Sequence, residues 1–198
     1  MSAADYYFVT IWRFNADVRS VADILKDAEA FARWWPAVYL EVRELEPGDG
    51  NQVGAVYDLY TKGWLPYTLR WTCRVTDADY PNGFALEAWG DFVGRGIWTL
   101  RQAGEDVLVR YDWRVRAGKP LLQRWSYLLR PVFRWNHEWA MRTGERSLRL
   151  ELARRVASTP AERRALPPPP APSFARFVKP GALDSTPPKN TAAKRAAN

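Results

Sequence analysis

Polar and apolar positions alternate most cleanly between Tyr67 and Thr76, where Tyr67, Leu69, Trp71, Cys73 and Val75 interleave with Thr68, Arg70, Thr72, Arg74 and Thr76. A period of two puts the first set on one face of a strand and the second on the other, as in an antiparallel strand covered on one side. Further strand-like runs at 38–45, 53–61, 84–92, 97–101 and 107–115 are punctuated by Pro47-Gly48-Asp49-Gly50, Gly63, Asn82-Gly83 and Gly104-Glu105-Asp106. Gly94 and Gly96 predict a bend or bulge ahead of the strand at 97–101. The aromatic and β-branched stretch at 6–14 predicts one earlier strand, which brings the number to seven.

Helical spacing takes over between the first and second of these strands. Val18, Val21, Ala22, Ile24 and Leu25 share one side of a predicted helix, with Asn15 or Asp17 as its N-cap. A second short helix fits 28–33 and must stop at Trp34-Trp35-Pro36, because a proline pushes the preceding residue out of the α region. A long helix is expected from about Leu121 to Val156, with a kink or break at Pro131. Arg134, Glu138, Arg142, Glu145 and Arg149 form its solvated side, with Glu138–Arg142 and Glu145–Arg149 as i,i+4 pairs. Its other side carries Leu129, Phe133, Asn136, His137, Ala140, Gly144, Ser147 and Leu148, whose small members let the helix come close to a sheet.

Composition divides the chain in two. All eleven Trp lie between Trp12 and Trp139, so the first part has ample ring area for a core or for the lining of an apolar cavity. Nine of the fifteen prolines lie from Pro160 onward, and little there offsets the entropy of ordering. The expected organisation is a folded domain over 1–156 and a disordered, proline-rich basic tail over 157–198. From Ala153 on, nine Lys or Arg stand against two Asp or Glu, a surplus of seven that equals the whole net charge of +7. The preceding 152 residues balance, so the folded part has no bulk field for a polyanion and no nucleic-acid role is expected of it. The tail could meet an acidic surface, an SH3-like partner or nothing.

Cys73 is the single cysteine, which excludes an intrachain disulfide and suits a small buried apolar role. One His and one Cys cannot supply a usual metal-ligand set, so no metal is expected. Gly94-Arg95-Gly96 lacks the third glycine and the strand-to-helix setting of a dinucleotide loop, and no phosphate loop or catalytic serine motif occurs, so no cofactor is expected. Residues 1–5 lack a basic and an apolar signal region, and no apolar run approaches a membrane span. A cytoplasmic protein is expected.

Strand, two short helices, six antiparallel strands and a long terminal helix is the order of the helix-grip fold. At this point the chain resembles the START-like superfamily (SRPBCC), which includes polyketide cyclases/dehydrases, lipid-transfer domains and plant pathogenesis-related allergens. Three stretches look most like its bacterial polyketide cyclase/dehydrase-type members: Ala30-Phe31-Ala32-Arg33-Trp34-Trp35-Pro36, Gly94-Arg95-Gly96-Ile97-Trp98-Thr99-Leu100, and Trp135-Asn136-His137-Glu138-Trp139-Ala140-Met141 with Gly144-Glu145. The resemblance spans about Tyr6 to Arg155. It implies an α+β fold, a seven-stranded curved antiparallel sheet wrapped around the long C-terminal helix, with a largely apolar cavity between them. Members bind lipids, sterols, polyketides or other hydrophobic molecules there, and some catalyse cyclisation or dehydration; the fold does not fix the chemistry.

Two functions follow as expectations: a carrier or sensor for a hydrophobic small molecule, or a cyclase or dehydratase. A third is a partner-binding domain that acts through the tail. The expected ligand wall comprises Tyr67, Leu69, Trp71, Trp98, Leu100, Tyr111 and Trp113 from the sheet and Phe133, Asn136 and Ala140 from the helix. His137 is the candidate acid/base, or donor to a ligand carbonyl, with Asn136 holding a developing enolate; a purely structural histidine is the alternative. Asp58, Asp91, Asp112 and Arg95 become site candidates if any of them points inward. A polar pair converging on His137 favours the enzyme, and a uniformly apolar cavity favours the carrier.

Overall fold

In the computed structural model, which describes residues 5–117 and 120–174 (side chains at 6–116 and 131–174), the alternating runs become seven strands in one antiparallel sheet. β1 (Asp5–Asn15) leads to α1 (Val18–Lys26) and α2 (Phe31–Trp34). β2 (Tyr39–Glu46), β3 (Val56–Lys62), β4 (Thr68–Asp79), β5 (Gly83–Gly90), β6 (Phe92–Ala103) and β7 (Asp106–Ala117) follow as a meander. The spatial order is β1-β7-β6-β5-β4-β3-β2, so the first strand pairs with the last, and α3 (Pro120–Val156) lies against β1, β7, α1 and α2. This is the helix-grip arrangement.

Register puts the apolar half of each strand on one face. Leu69, Trp71, Cys73 and Val75 of β4, Trp98 and Leu100 of β6, and Val107, Val109, Tyr111, Trp113 and Val115 of β7 are all buried. Asp17 caps α1, its carboxylate accepting from the backbone N–H of Arg19 at 2.9 Å and of Ser20 at 3.1 Å. The α1 side bearing Val21, Ala22, Ile24 and Leu25 is buried in the same core.

Gly94 and Gly96 lie inside a continuous β6, paired with Val115 and Trp113, and make no bend ahead of it. Their purpose is close approach. A Cβ on Gly94 would stand 2.0 Å from the Arg114 carbonyl oxygen, and one on Gly96 would stand 2.9 Å from the Tyr111 hydroxyl. The irregularities in register fall instead in β2 and between Val75 and Asp77 of β4. α3 likewise runs unbroken through Pro131.

The expected sides of α3 hold where side chains are described. Arg134, Glu138, Arg142 and Arg149 are exposed, Arg149 pairs with Glu145 at 2.7 Å, and Gly144, Ser147 and Leu148 are buried. Met141 and Glu151 complete the inward side. Glu151 accepts a forked pair from Arg33 of α2 at 2.9 and 3.0 Å, which pins α2 to α3. Burial opposes the Glu151 charge, but Arg33 and Arg155 outweigh it and hold the carboxyl below its ordinary range.

Gly144 faces the Trp35 indole, and a Cβ there would fall 2.2 Å from Cζ2 of that buried ring. Alanine is the better helix former by about 1 kcal/mol, yet the ring has no room to retreat. Gly144→Ala should therefore destabilise the domain by about 1–3 kcal/mol, measured by urea denaturation. A stabilised variant would refute this packing.

Past Val156, in the stretch assigned to the tail, the structure describes a further 18 residues, 157–174. α4 (Pro160–Ala165) begins with a reciprocal capping box between Thr159 and Glu162. The chain then returns to the turn after β3. There Ser173 donates its hydroxyl to the Trp64 carbonyl at 2.7 Å, and Phe174 packs edge-on against Trp64 at 5.3 Å. A composition rich in proline carried no sign of this local chemistry. The rest of the tail, from 175, lies outside the described residues.

Candidate functional site

Two apolar hollows open on the inner face of the sheet. The larger, about 140 Å³, is bounded by β1, β3, β4, β7 and α3; an apolar cavity of about 150 Å³ takes a benzene ring. The smaller, about 80 Å³, is bounded by α1, Phe31 and the middle strands. Tyr39, Trp71 and Tyr111 line both and divide them.

Tyr67, Leu69, Trp71, Tyr111 and Trp113 line the larger hollow from the sheet, and Phe133, Asn136, His137 and Ala140 line it from α3. Trp98 and Leu100 line the smaller one, beside Trp71 and Tyr111. The wall is a ring stack: Trp98 on Tyr111 at 4.1 Å between centroids, and Tyr111 on Trp113 at 5.8 Å, both within 19° of parallel. Trp71 is fixed by its indole N–H, which donates to Thr61 Oγ1 at 3.0 Å. Tyr111 is buried and Tyr39 partly so, and desolvation pushes both phenols well above the ordinary range, so they remain neutral donors.

His137 stacks on Phe8 of β1 at 4.2 Å between ring centroids. Its Nε2 is buried and has no hydrogen-bond partner among the described residues. Burial lowers its pKa to about 4, so the imidazole is neutral at neutral pH. The Asn136 Oδ1 accepts from the Leu65 N–H at 3.2 Å, which ties α3 to the turn between β3 and β4; the amide N–H groups are the donors an enolate would need. Gly63 provides the necessary room, since a Cβ there would meet the Asn136 amide at 2.2 Å.

The charged strand residues divide by face. Asp58 pairs with Arg70 at 2.5 Å, away from the cavity. Asp112 pairs with Arg110 at 2.6 Å and accepts from the Tyr7 hydroxyl at 2.5 Å; the Arg110 guanidinium holds its carboxyl at about 2. Arg95 is exposed. Asp91 alone of the four lines the larger hollow, where it accepts from the Arg70 backbone N–H at 3.1 Å. The thiol of buried Cys73 is pushed up to about 12, which leaves it unreactive. No group of three or more metal-ligating side chains occurs among the described residues. No described helix is long and apolar enough to cross a membrane.

Sequence reasoning missed several wall residues. Tyr6 and Phe8 were visible as alternating aromatics of β1, a pattern used there only to identify the strand. The floor of the smaller hollow, Ala22 and Leu25 of α1, was legible only as a helix's buried side. Lys62 carried no signal, because a lysine at a strand end ordinarily faces solvent.

No protein-family model and no curated protein matches this sequence. Solved structures share its fold. The Zhui aromatase/cyclase from a Streptomyces species superposes with a TM-score of 0.60 at 18% identity, over 78% of this chain and 97% of its own. A protein from Thermus thermophilus gives 0.62 at 15% identity, over 77% and 100%. A START superfamily protein from Mycobacterium smegmatis gives 0.54 at 14% identity, over 72% and 98%. At these identities the likeness is one of fold.

Proposed function

We propose that this chain, built on the helix-grip fold of START-like proteins, holds a hydrophobic small molecule in the larger hollow between sheet and α3, as a carrier or sensor. The observation that carries this reading is the absence, among the described residues, of a polar pair around His137. Its Nε2 meets no partner among them, and the Asn136 Oδ1 is held by the Leu65 N–H. What remains is a wall of stacked rings, suited to planar apolar ligands. Native mass spectrometry of freshly purified protein should show a co-purified small molecule that is released on denaturation. Phe133→Ala, which removes one ring from the wall, should weaken its retention. A ligand-free spectrum from every expression host, together with no binding of planar aromatics, would defeat the proposal.

One observation favours a second reading, a cyclase or dehydratase with the fold of the Streptomyces enzyme. A neutral imidazole whose Nε2 meets no partner among the described residues accepts a proton there in the tautomer that carries its own proton on Nδ1. On that reading His137→Ala abolishes turnover of a cyclisable substrate while binding survives. Unchanged turnover would remove His137 from any catalytic role.

A further inference from the structure

Lys62 is a charged and buried residue of the larger hollow whose placement the apolar reading leaves unexplained. It ends β3, is only 3% exposed, and lines the cavity. An ammonium carries three donors. One goes to the Ser173 backbone carbonyl, and the Phe174 ring lies 5.9 Å from Nζ. No described carboxylate forms an ion pair with it. Asp91, the described carboxylate that lines the same hollow, accepts from Arg70. Arg116 adds a second cation to the lining. A buried ammonium with open donors costs several kcal/mol unless an anion meets it, and burial lowers its pKa accordingly.

We infer that the cavity selects apolar ring compounds bearing a carboxylate, with Lys62 as the anchor. The inference rests on the ligand-binding reading and narrows it to a ligand class. The carboxylate accepts the donors that Ser173 leaves open, and the ring lies against Trp71, Tyr111 and Trp113. Lys62 is thereby a specificity residue: it distinguishes an acid from its neutral analogue, while the rings distinguish planar from bulky. The Ser173 carbonyl is the group that a bound carboxylate joins or displaces, so residues 157–174 border the anion site.

The test is isothermal titration calorimetry of the full chain with 2-naphthoate and with 2-naphthamide, which share a ring system and differ in charge. Wild type should bind the acid at least about tenfold more tightly, the scale of one charge-assisted hydrogen bond. Lys62→Met should lose that preference, the acid weakening far more than the amide, and an unchanged far-UV circular dichroism spectrum shows that the variant is folded. Lys62→Arg should keep the preference. Equal affinity of wild type for the two compounds, or a preference that survives Lys62→Met, overturns the inference and leaves the ligand-binding reading standing. If neither compound binds wild type, the inference falls, and the native mass spectrum decides the ligand-binding reading.

Discussion

Trp35→Ala is expected to cost about 3–5 kcal/mol, against a total stability of about 5–15 kcal/mol for a domain of this kind. The ring is 2% exposed and sits where α2, α3, β1 and β2 meet. It stacks on Trp34 at 5.5 Å between centroids, meets Trp12 at 5.8 Å and Tyr39 at 5.1 Å edge-on, and presses against the bare Cα of Gly144. Its indole nitrogen donates to Thr143 at 3.4 Å. The surrounding rings are rigid and hold one another, so they cannot collapse into the space vacated. The cavity term should therefore add in full to the lost transfer term. Urea denaturation followed by far-UV circular dichroism measures the difference, and a loss below about 1 kcal/mol with an unchanged slope would contradict this account.

His137 should make the stability of the domain fall in mild acid. Its folded pKa is about 4 against an ordinary 6.5, so between those values the unfolded chain binds a proton that the folded chain does not. Stability from this residue is complete above the ordinary pKa, declines as pH falls below 6.5, and levels off once pH passes the folded value. The full span is about 3 kcal/mol. His137→Phe keeps the stack on Phe8, has the adjoining hollow for its extra volume, and cannot titrate. The two proteins should differ in the slope of stability against pH between 6.5 and 4, with the variant flatter. Glu151 and Asp112 contribute acid sensitivity to both proteins, at and below the carboxylate range, and cancel in the comparison. Parallel slopes would show that the imidazole is accessible to protons in the fold.

The strands of this chain were legible because one face of each is covered, and a period of two survives any detail of packing. Trp71, Tyr111 and Trp113 could be assigned to the covered face on that ground alone, and to a cavity wall only through the family resemblance. What escaped depends on contacts between residues far apart in sequence. Gly94 and Gly96 imitate a bend until the neighbouring strand is in place, when they prove to be the clearance for Arg114 and Tyr111. Asn136 has the chemistry of a ligand contact, and only the approach of the turn after β3 shows its carbonyl to be engaged. Lys62 is the extreme case. Its burial results from α3 and the returning segment at Ser173 closing over a strand end, and no local pattern encodes that event.

The division of the cavity by Tyr39, Trp71 and Tyr111 has a kinetic consequence. A guest that fits one compartment enters without disturbing the partition, and its association should be limited by encounter. A longer guest must turn a ring out of a stack in which Tyr111 lies between Trp98 and Trp113. In a homologous series of ligands of increasing length, on-rates should therefore fall abruptly at one chain length rather than decline smoothly. The protein would then measure its ligands by a threshold set by a few interlocked side chains.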